Sequence, residues 1–384
     1  MNRIAAKKEL RKAIDVDKPC ADGIARLAGR PILIYGAGNY GRIIHRLLTE
    51  NGIPKDFILG FLDEAATDCS TLFSLPVRRP ADPNNTDDIR KEAEVVISVY
   101  CSLGEQAAIS ARLHDYGYCH VRTCYETAIA FHSANNPRTR ISRSEFLRVN
   151  MDNALKGCEF WGDERSLDTY TNHFVGYARC DVGRFNIETG HKQYFAPPPL
   201  LVKGHKRFID CGAFDGDTIR DLMEVSGKSE SLALFEPCKG NFENLRAYIS
   251  GNEDQLAERI ALFPCGVSDR AEQLRFDSGA AAASGVSENG DTFIQCVAID
   301  DALHGFNPTF IKMDIEGAEP KALRGAALTI RKCKPDLAIS IYHSLAHFWE
   351  IPELVLQLVP EYRLYLRTYG AAGFETTMYA VAEQ

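Results

Sequence analysis

The sequence lacks the features that would direct it to a membrane or to an oxidising compartment. None of its twelve cysteines stands in a Cys-x-x-Cys pair or at the spacing of zinc ligands, so we expect reduced, mostly buried thiols. No run of eighteen apolar residues occurs, and no membrane span is therefore predicted. Residues 1–16 have a charged, helical pattern without the apolar core of a signal peptide. These absences together predict a cytoplasmic protein.

Positive charge is also scarce. The chain has 44 Lys and Arg residues against 52 Asp and Glu residues, which gives a net charge of −8 at pH 7. Because a nucleic-acid partner usually requires a basic face, none is predicted. A length of 384 residues exceeds one ordinary core and favours two domains. A hydrophobic content of 45% is typical of a chain that folds.

What the sequence does contain is a regular alternation of strand-like and helix-like segments in two stretches. The first stretch runs from Pro31 to about residue 125, and the second begins at Arg207. Such alternation is typical of βαβ units around a mostly parallel sheet. The last two strand-like segments are joined only by AAGFE, residues 371–375, which is too short for a parallel crossover. An antiparallel hairpin is therefore predicted at the end of the second sheet.

The predicted fold class is α/β, with two Rossmann-like domains joined by a helical bridge. The predicted division of the chain is a helical lead-in at 1–29, a first Rossmann-like domain at 30–130, the bridge at 131–205 and a second domain at 206–384.

Within the second domain, the hydrophobic pattern predicts helices at 217–225, 240–250, 319–331 and 352–359. The segment IALFPCGV, residues 260–267, is predicted to form one strand. The small, polar segment 279–291 is predicted to be a mobile loop or hairpin inserted before the fourth strand.

A turn rich in glycine and acid joins the first strand and helix of the second domain. Gly212 and Gly216 follow Asp210, and Asp217 begins the predicted helix. Glycines allow a ligand to approach the backbone, and the first turn of a helix can hold an anionic group. Glu236 ends the next predicted strand, where an acid can accept hydrogen bonds from ribose hydroxyls. The pattern favours a nucleoside-containing cofactor.

The same region carries a longer series of motifs. In order, these are DCGAFDGD, LFEPCKGNFENL, FPCGVSD, CVAIDDAL and TFIKMDIEGAEPKALRGA, all within residues 207–327. The series resembles the FkbM family of S-adenosylmethionine-dependent methyltransferases, and the terminal hairpin is similar to the reversed last strand of class I methyltransferases. The resemblance implies that the loop 210–217 carries the methionine end of the cofactor, Glu236 its ribose, and residues 265–267 its adenine. The implied cofactor residues are Asp210, Gly212, Ala213, Phe214, Gly216, Asp217, Glu236, Pro237, Cys265, Gly266 and Val267.

Candidate catalytic residues follow the fourth and fifth predicted strands. Methylation of an aliphatic hydroxyl requires removal of its proton, so a base or a metal is expected. His343 is the first choice for the base, since a histidine accepts protons near neutral pH. Asp314 is predicted to orient it, to contact substrate, or to ligate a divalent cation with Glu316. Helix capping is an equally good explanation for Glu316.

Two further residues near these strand ends are given structural roles. Lys312, on the same face of its strand as Asp314, is predicted to be a structural ion-pair partner, and His347 to lie at a surface or a helix start.

The first domain opens with a second glycine-rich turn. Gly36, Gly38 and Gly41 form G-x-G-x-x-G between a strand and a helix, and an acid ends the next strand 22 residues after Gly41. The candidate nucleotide site comprises Gly36, Gly38, Asn39, Tyr40, Gly41 and Asp63. The domain is similar to the nucleotide-sugar-binding domain of PglD-type sugar acyltransferases. Three interpretations remain open: a nucleotide-sugar site, a structural or dimerising module, and an NAD site, in that order of preference.

The predicted function is S-adenosylmethionine-dependent O-methylation of a sugar hydroxyl on a glycan or nucleotide-sugar precursor. The alternatives are O-methylation of a polyketide or another small metabolite, and a non-catalytic nucleotide-sugar-binding scaffold. A bound divalent cation and a homo-oligomer are left open by the sequence.

Overall fold

A computed structural model describes residues 1–14, 29–50, 52–99, 101, 103–131, 143–179, 181–277, 285–286 and 292–382. The chain divides into two compact units. The C-terminal unit comprises residues 1–8, 151–171 and 186–384, and the front unit comprises residues 9–150 and 172–185. The domain boundaries given above stay a prediction.

The described helices and strands are as follows. The helices are α1 (Arg3–Ile14), α2 (Asn39–Glu50), α3 (Asp87–Glu92), α4 (Leu103–Asp115), α5 (Cys124–Phe131), α6 (Arg143–Val149), α7 (Met151–Gly157), α8 (Glu164–Arg179), α9 (Asp217–Val225), α10 (Lys239–Ser250), α11 (Glu253–Leu256), α12 (Ile299–Ala302), α13 (Glu319–Gly325), α14 (Ala327–Cys333) and α15 (His347–Leu358). The strands are β1 (Ile32–Tyr35), β2 (Ile58–Leu62), β3 (Thr71–Leu72), β4 (Leu75–Arg78), β5 (Glu94–Ile97), β6 (His120–Arg122), β7 (Arg207–Cys211), β8 (Ser229–Phe235), β9 (Ala257–Phe263), β10 (Gly266–Val267), β11 (Glu272–Asp277), β12 (Gly285–Val286), β13 (Thr292–Val297), β14 (Phe310–Met313), β15 (Asp336–Ser340), β16 (Tyr362–Thr368) and β17 (Thr376–Ala382).

The front unit is built on a six-stranded sheet in the order β3-β4-β2-β1-β5-β6. All neighbouring strands are parallel except the β3–β4 hairpin. The central strands β1 and β5 are buried along their whole length, as expected for a parallel sheet that is covered on both faces. Helix α2 packs its apolar side chains Ile44 and Leu48 against the core that contains Ile32 and Ile34. The Rossmann-like order places the turn after β1 next to the end of β5.

The C-terminal unit contains a seven-stranded sheet in the order β16-β17-β15-β14-β7-β8-β9. Strand β17 lies between β15 and β16 and is antiparallel to both, which confirms the predicted terminal hairpin. Strand β14 pairs with β7 on one side and β15 on the other. The carboxyl ends of β7, β14 and β15 therefore meet at one edge of the sheet. Among the described residues, no helix combines the length and apolar character needed to cross a bilayer.

Three local predictions for the C-terminal unit need correction. The predicted strand 260–267 is two strands, β9 and β10, because Pro264 between them has no N–H to continue the ladder. The predicted helix 319–331 is divided into α13 and α14 at Ala326. Helix α15 begins at His347 and runs through Pro352, so the predicted start at 352 is five residues too late.

Strand β10 joins a separate four-stranded sheet in the order β10-β13-β11-β12. The predicted inserted loop, 279–291, lies outside the described residues except for the short strand Gly285–Val286.

Candidate active site

The turn after β7 can be formed only by glycine at its first position. Gly212 has a φ of +86°, and a Cβ placed on it would lie 2.0 Å from the backbone oxygen of Asp314. At the other end of the turn, Gly216 has a φ of +92° and precedes α9. The backbone of the turn thus contacts the end of β14 directly, which leaves no room for a side chain there.

Glu236 follows β8 and is fixed by the backbone of this turn. Its Oε2 accepts a hydrogen bond from the N–H of Phe214 at 3.0 Å, and its Oε1 accepts one from the N–H of Cys238 at 2.8 Å. Burial raises the pKa of Glu236, while these two N–H groups and the side chain of Asn241 lower it. The carboxylate is therefore held in one orientation at the floor of the turn.

Asp210 lies behind the turn and not at its surface. Its side chain is fully buried, and the Nζ of Lys312 lies 3.0 Å from its Oδ1. The same Nζ donates a hydrogen bond to the carbonyl oxygen of Gly212 at 2.5 Å. The predicted ion-pair role of Lys312 is thus performed with Asp210, and the pair supports the turn from within the sheet.

A cavity of about 270 Å³ opens in front of the turn. Of the predicted cofactor residues, those that line it are Gly212, Phe214, Asp217, Glu236, Pro237, Gly266 and Val267. The remaining four, Asp210, Ala213, Gly216 and Cys265, are buried and do not line it. The residues of the wall that sequence reasoning missed are Gln193, Tyr194, Thr218, Phe235, Asn241, Phe276, Ile294, Cys296, Lys312, Ile315, Ala318, Tyr342 and Glu375.

Some of the missed residues had no signal in the sequence that could have identified them. Gln193 and Tyr194 precede β7 in a segment without a motif, and Glu375 lies in the loop between β16 and β17. Glu375 immediately precedes β17 and reaches the cavity because β17 pairs with β15. Asn241 and Tyr342 were closer to detection, since Asn241 lies inside the motif LFEPCKGNFENL and Tyr342 precedes His343.

The three predicted catalytic residues lie together at this edge of the sheet. The Nε2 of His343 is 3.4 Å from Asp314 Oδ1 and 3.6 Å from Glu316 Oε2. The opposite ring nitrogen, Nδ1, is 2.9 Å from Oε1 of the fully buried Glu319. Asp314 also accepts a hydrogen bond from the hydroxyl of Tyr194 at 2.8 Å. The carboxyls of Asp314 and Glu316 line the cavity, whereas Glu319 lies behind the histidine.

The charges of this group are strongly coupled. Burial alone would lower the pKa of His343, but the Glu319, Asp314 and Glu316 carboxylates raise it to about 10. Burial acts to raise the pKa of Glu319, yet the His343 ring lowers it to about 2. Burial and the neighbouring Asp314 and Glu319 raise the pKa of Glu316 to about 7, against the influence of His343. At neutral pH, His343 and Glu319 thus form a buried ion pair.

The arrangement also has some of the donors of a metal site. Asp314, Glu319 and His343 each offer a ligand atom, and these atoms lie within 4.8 Å of one another. However, the two carboxylates approach different ring nitrogens of His343, and an ion binds an imidazole through one nitrogen. The geometry therefore fits an ion-pair chain better than a three-ligand cage, and the cation held by Asp314 and Glu316 stays a prediction.

His347 was predicted to lie at a surface or a helix start, and it lies buried at a helix start. It is the first residue of α15, and its Nδ1 lies 3.6 Å from Oε2 of Glu319. Burial lowers the pKa of His347, although the neighbouring Glu319 acts to raise it.

The candidate site in the front unit has the same kind of turn. Gly36 has a φ of +105°, and a Cβ on Gly41 would lie 2.1 Å from the oxygen of Gly36. Asp63, which follows β2, accepts hydrogen bonds from the N–H groups of Ala37 and Ala65, both at 2.9 Å. Gly38 and Asn39 lead into α2, and Tyr40 is half exposed. The predicted residues are thus assembled around one turn, and the ligand stays a prediction.

Comparison with known proteins identifies the region around the cavity. Residues 210–372 match the model of the methyltransferase FkbM domain. The C-terminal region is an FkbM methyltransferase domain. The FkbM assignment made from the motifs is thereby confirmed, and it makes the cavity of the C-terminal unit the candidate site of methyl transfer.

The crystal structure of methyltransferase FkbM from Methylobacillus flagellatus KT has a TM-score of 0.75 to this chain at 21% identity, and the match covers 99% of this chain and 100% of that one. That likeness shows a shared fold. Aeropyrum pernix fibrillarin, solved with natively bound S-adenosyl-L-methionine, is 10% identical over 48% of this chain and 68% of its own, with a TM-score of 0.29, which is too low to support an argument. No curated protein matches the sequence.

Proposed function

We propose that this chain is an S-adenosylmethionine-dependent O-methyltransferase that acts on a sugar hydroxyl. The observation that carries the cofactor assignment is the position of Glu236. Its carboxylate follows the second strand of the sheet, is held by two backbone N–H groups and faces the cavity. A carboxylate offers about four acceptor positions, so capacity remains for ribose hydroxyls.

The other walls of the cavity also fit this cofactor. A side chain at position 212 would overlap the backbone of Asp314, so the turn presents bare backbone to a ligand. An apolar wall, which includes Val267, Phe276 and Ile294, suits a purine ring. When bound, S-adenosylmethionine supplies an electrophilic methyl group, so that an oxygen–carbon bond forms as the carbon–sulfur bond breaks and a neutral thioether leaves.

The geometry favours Glu316 as the group that removes the proton from the acceptor hydroxyl. The sequence pointed to His343, but a ring whose pKa is about 10 holds its proton at neutral pH and donates instead of accepting. Glu316 lines the cavity beside it, and its pKa of about 7 suits a base that works near neutrality. We assign His343 a positioning role: it fixes Asp314 and Glu316 from one side while Glu319 holds it from the other.

A pair of matched variants tests the cofactor assignment. Glu236→Gln replaces a charged hydrogen-bond acceptor by a neutral amide. Each hydrogen bond to a charged group is worth about 1.5–3 kcal/mol. Calorimetry should therefore show that the affinity for S-adenosylmethionine is reduced by roughly 10- to 100-fold. Asp63→Asn makes the equivalent change in the front unit and should leave that affinity unchanged. Equal affinities for Glu236→Gln and the unmodified chain would remove the ribose contact from the proposal.

A further inference from the structure

The wall of the cavity is acidic. Five carboxyl groups line it, those of Asp217, Glu236, Asp314, Glu316 and Glu375. Lys312 is the one basic residue among the described residues of the wall, and its side chain is only 3% exposed. Its charge is already matched by Asp210 at 3.0 Å and by the carbonyl of Gly212. The described residues of the wall therefore offer an anionic acceptor no unmatched cation.

The carboxyl groups are close enough to oppose one another's ionisation. Asp314 Oδ1 and Glu316 Oε2 lie 3.4 and 3.6 Å from the same atom, Nε2 of His343, and Glu375 lines the same cavity. The positive charge of the His343 ring does not cancel the negative charge of the wall, because Glu319 pairs with the ring on the side away from the cavity. An anionic acceptor placed beside Asp314, Glu316 and Glu375 would add to the same repulsion, which is strong where water is excluded.

We propose that the part of the methyl acceptor that enters this cavity is an uncharged, hydroxyl-bearing group, such as one unit of a neutral glycan, and carries no phosphate or carboxylate. The inference rests on the proposed function, since it takes this cavity as the site of methyl transfer. It narrows the acceptor from a glycan or a nucleotide-sugar to the first of these.

The same residues provide what a neutral sugar requires. Carboxyl oxygens accept hydrogen bonds from hydroxyls, and Asp314, Glu316 and Glu375 present several such acceptors in the cavity. Tyr194 and Tyr342 add aromatic surface there, and Tyr342 donates a hydrogen bond to Glu375 at 3.4 Å. Aromatic faces beside hydrogen-bond acceptors match a sugar, which has both apolar C–H faces and hydroxyl edges.

An amine acceptor fits less well, although a cation would be attracted. Neighbouring carboxylates raise the pKa of an ammonium group, and a protonated amine has no lone pair with which to attack a methyl group. A hydroxyl has a lone pair at all times and must lose its proton only as it reacts. That proton passes to the Glu316 carboxylate, which becomes a carboxylic acid and returns the proton to water at the cavity mouth.

The test uses the full chain, S-adenosylmethionine labelled in its methyl group, and matched sugar probes. The probes are the methyl glycosides of glucose, galactose and mannose, the 6-phosphate and the uronate of each, and the corresponding UDP- and GDP-sugars. We expect label in at least one neutral glycoside, at a rate at least about tenfold above its charged counterparts, because juxtaposed like charges cost several kcal/mol. A charged probe labelled as fast as its neutral counterpart, or no neutral probe labelled, would overturn the inference.

A variant sharpens the test. Glu375→Gln removes one acidic group from the wall and should reduce the neutral-to-phosphate rate ratio several-fold, whereas Glu361→Gln, an exposed carboxyl paired with Lys334 outside the cavity, should leave the ratio unchanged. If Glu375→Gln does not fold, raising the salt concentration should lower the same ratio in the unmodified chain, because ions screen the repulsion. If neither Glu375→Gln nor added salt changes the neutral-to-phosphate rate ratio, the preference for neutral probes does not have an electrostatic origin.

Cofactor calorimetry keeps the two proposals distinguishable. Binding of S-adenosylmethionine together with preferred labelling of a charged probe would overturn the acceptor inference and leave the proposed cofactor intact. Absence of S-adenosylmethionine binding would instead remove the proposed function on which the inference rests.

Discussion

The two glycine-rich turns of this chain have the same local design in different surroundings. In the front unit, Asp63 accepts a hydrogen bond from the N–H of Ala37, and in the C-terminal unit Glu236 accepts one from the N–H of Phe214. Each acid follows the second strand of its sheet, and each also accepts a bond from the N–H two residues further along the chain. The acid and the turn are thus linked in the same way in both units.

The difference lies in the strand on the other side of each turn. A Cβ on Gly36 would meet the Oγ of Ser98, which follows β5, and a Cβ on Gly212 would meet the backbone of Asp314, which follows β14. The Ser98 hydroxyl shares its one hydrogen between the carbonyl oxygens of Tyr35, at 2.8 Å, and Gly36, at 3.0 Å, and so bonds the turn itself. The Asp314 side chain instead lines the cavity. The two turns therefore differ in the residue after the neighbouring strand, since Ser98 bonds the turn and Asp314 lines the cavity.

The largest expected effect distinguishes the residues that follow β14 from the residue that follows β5. Glu316→Gln should reduce the turnover number by about 10²–10⁴-fold, the usual contribution of a general base, with the affinity for S-adenosylmethionine nearly unchanged. The matched change next to the front turn, Ser98→Ala, should not affect turnover. The rate of methyl transfer to one of the neutral methyl glycosides is measured for both variants.

His343→Ala distinguishes the two candidates for the base. If His343 only positions its neighbours, the variant should lose less activity than Glu316→Gln, and the pH profile of the unmodified chain should follow a group that titrates near 7. The reverse order of the two losses would restore His343 as the base. Activity abolished by a chelator and restored by magnesium would instead favour a cation at Asp314 and Glu316.

The second effect concerns the stability of the C-terminal unit. Glu319→Gln leaves the His343 cation buried without its closest partner, and breaking such a pair costs about 3–5 kcal/mol. Both tryptophans, Trp161 and Trp349, lie in this unit, so their fluorescence during urea unfolding reports on it. His347→Gln, which removes a more distant contact with Glu319, is the milder control. Equal midpoints for the two variants would contradict the ion pair.

The same pair predicts a direction for the pH dependence of stability. The pKa of His343 is raised to about 10, so its contribution is complete below its usual pKa, about 6.5, and is lost as the pH rises through 10. The pKa of Glu319 is lowered to about 2, so its contribution is present above about 4.3 and is lost as the pH falls through 2. Asp314, Glu316 and His347 also face the His343–Glu319 pair. These three residues are present both in the unmodified chain and in Glu319→Gln. Tryptophan-detected stability should therefore fall between pH 7 and pH 10, and Glu319→Gln should flatten this decline.

A smaller effect compares the glycines themselves. Gly212→Ala forces a side chain into a left-handed backbone position that costs about 1–3 kcal/mol, and it displaces Asp314, so S-adenosylmethionine affinity should fall at least about tenfold. Gly36→Ala imposes a similar strain in the front unit and should lower its stability while leaving that affinity intact. Calorimetry on both variants, with circular dichroism as the folding control, would show whether the two turns act independently.

The smallest expected effect tests whether the front turn binds a ligand. A nucleotide-sugar that binds the folded front unit should raise its melting temperature, with a stabilisation of about 2.7 kcal/mol when the ligand is at 100 times its dissociation constant. Asp63→Asn should abolish the shift. A screen of nucleotide-sugars and NAD that produces no shift in the unmodified chain would favour the structural interpretation of this domain.

The comparison also shows which parts of the site could be predicted. Glycines 212 and 216 and the acid at 236 have strong local signals, because a turn with positive φ and an acid after a strand are properties of short segments. The positions of Asp314 and His343 at strand ends follow from the alternation of strands and helices. Asp210 stays a predicted cofactor residue, but its burial and its pairing with Lys312, one strand away, could not be read from the order of residues along the chain.

By itself, the sequence determined the two Rossmann-like sheets, the terminal hairpin and the family of the C-terminal region, because each depends on periodicity, loop length or a run of adjacent motifs. Only the tertiary structure decided the chemistry of the site. The pKa values of His343 and Glu316 depend on carboxylates brought together from different segments, and the acidic wall includes Glu375, which reaches the cavity through the pairing of β17 with β15. Electrostatic interactions depend on distance in space and on burial, and neither quantity can be read from the order of residues along the chain.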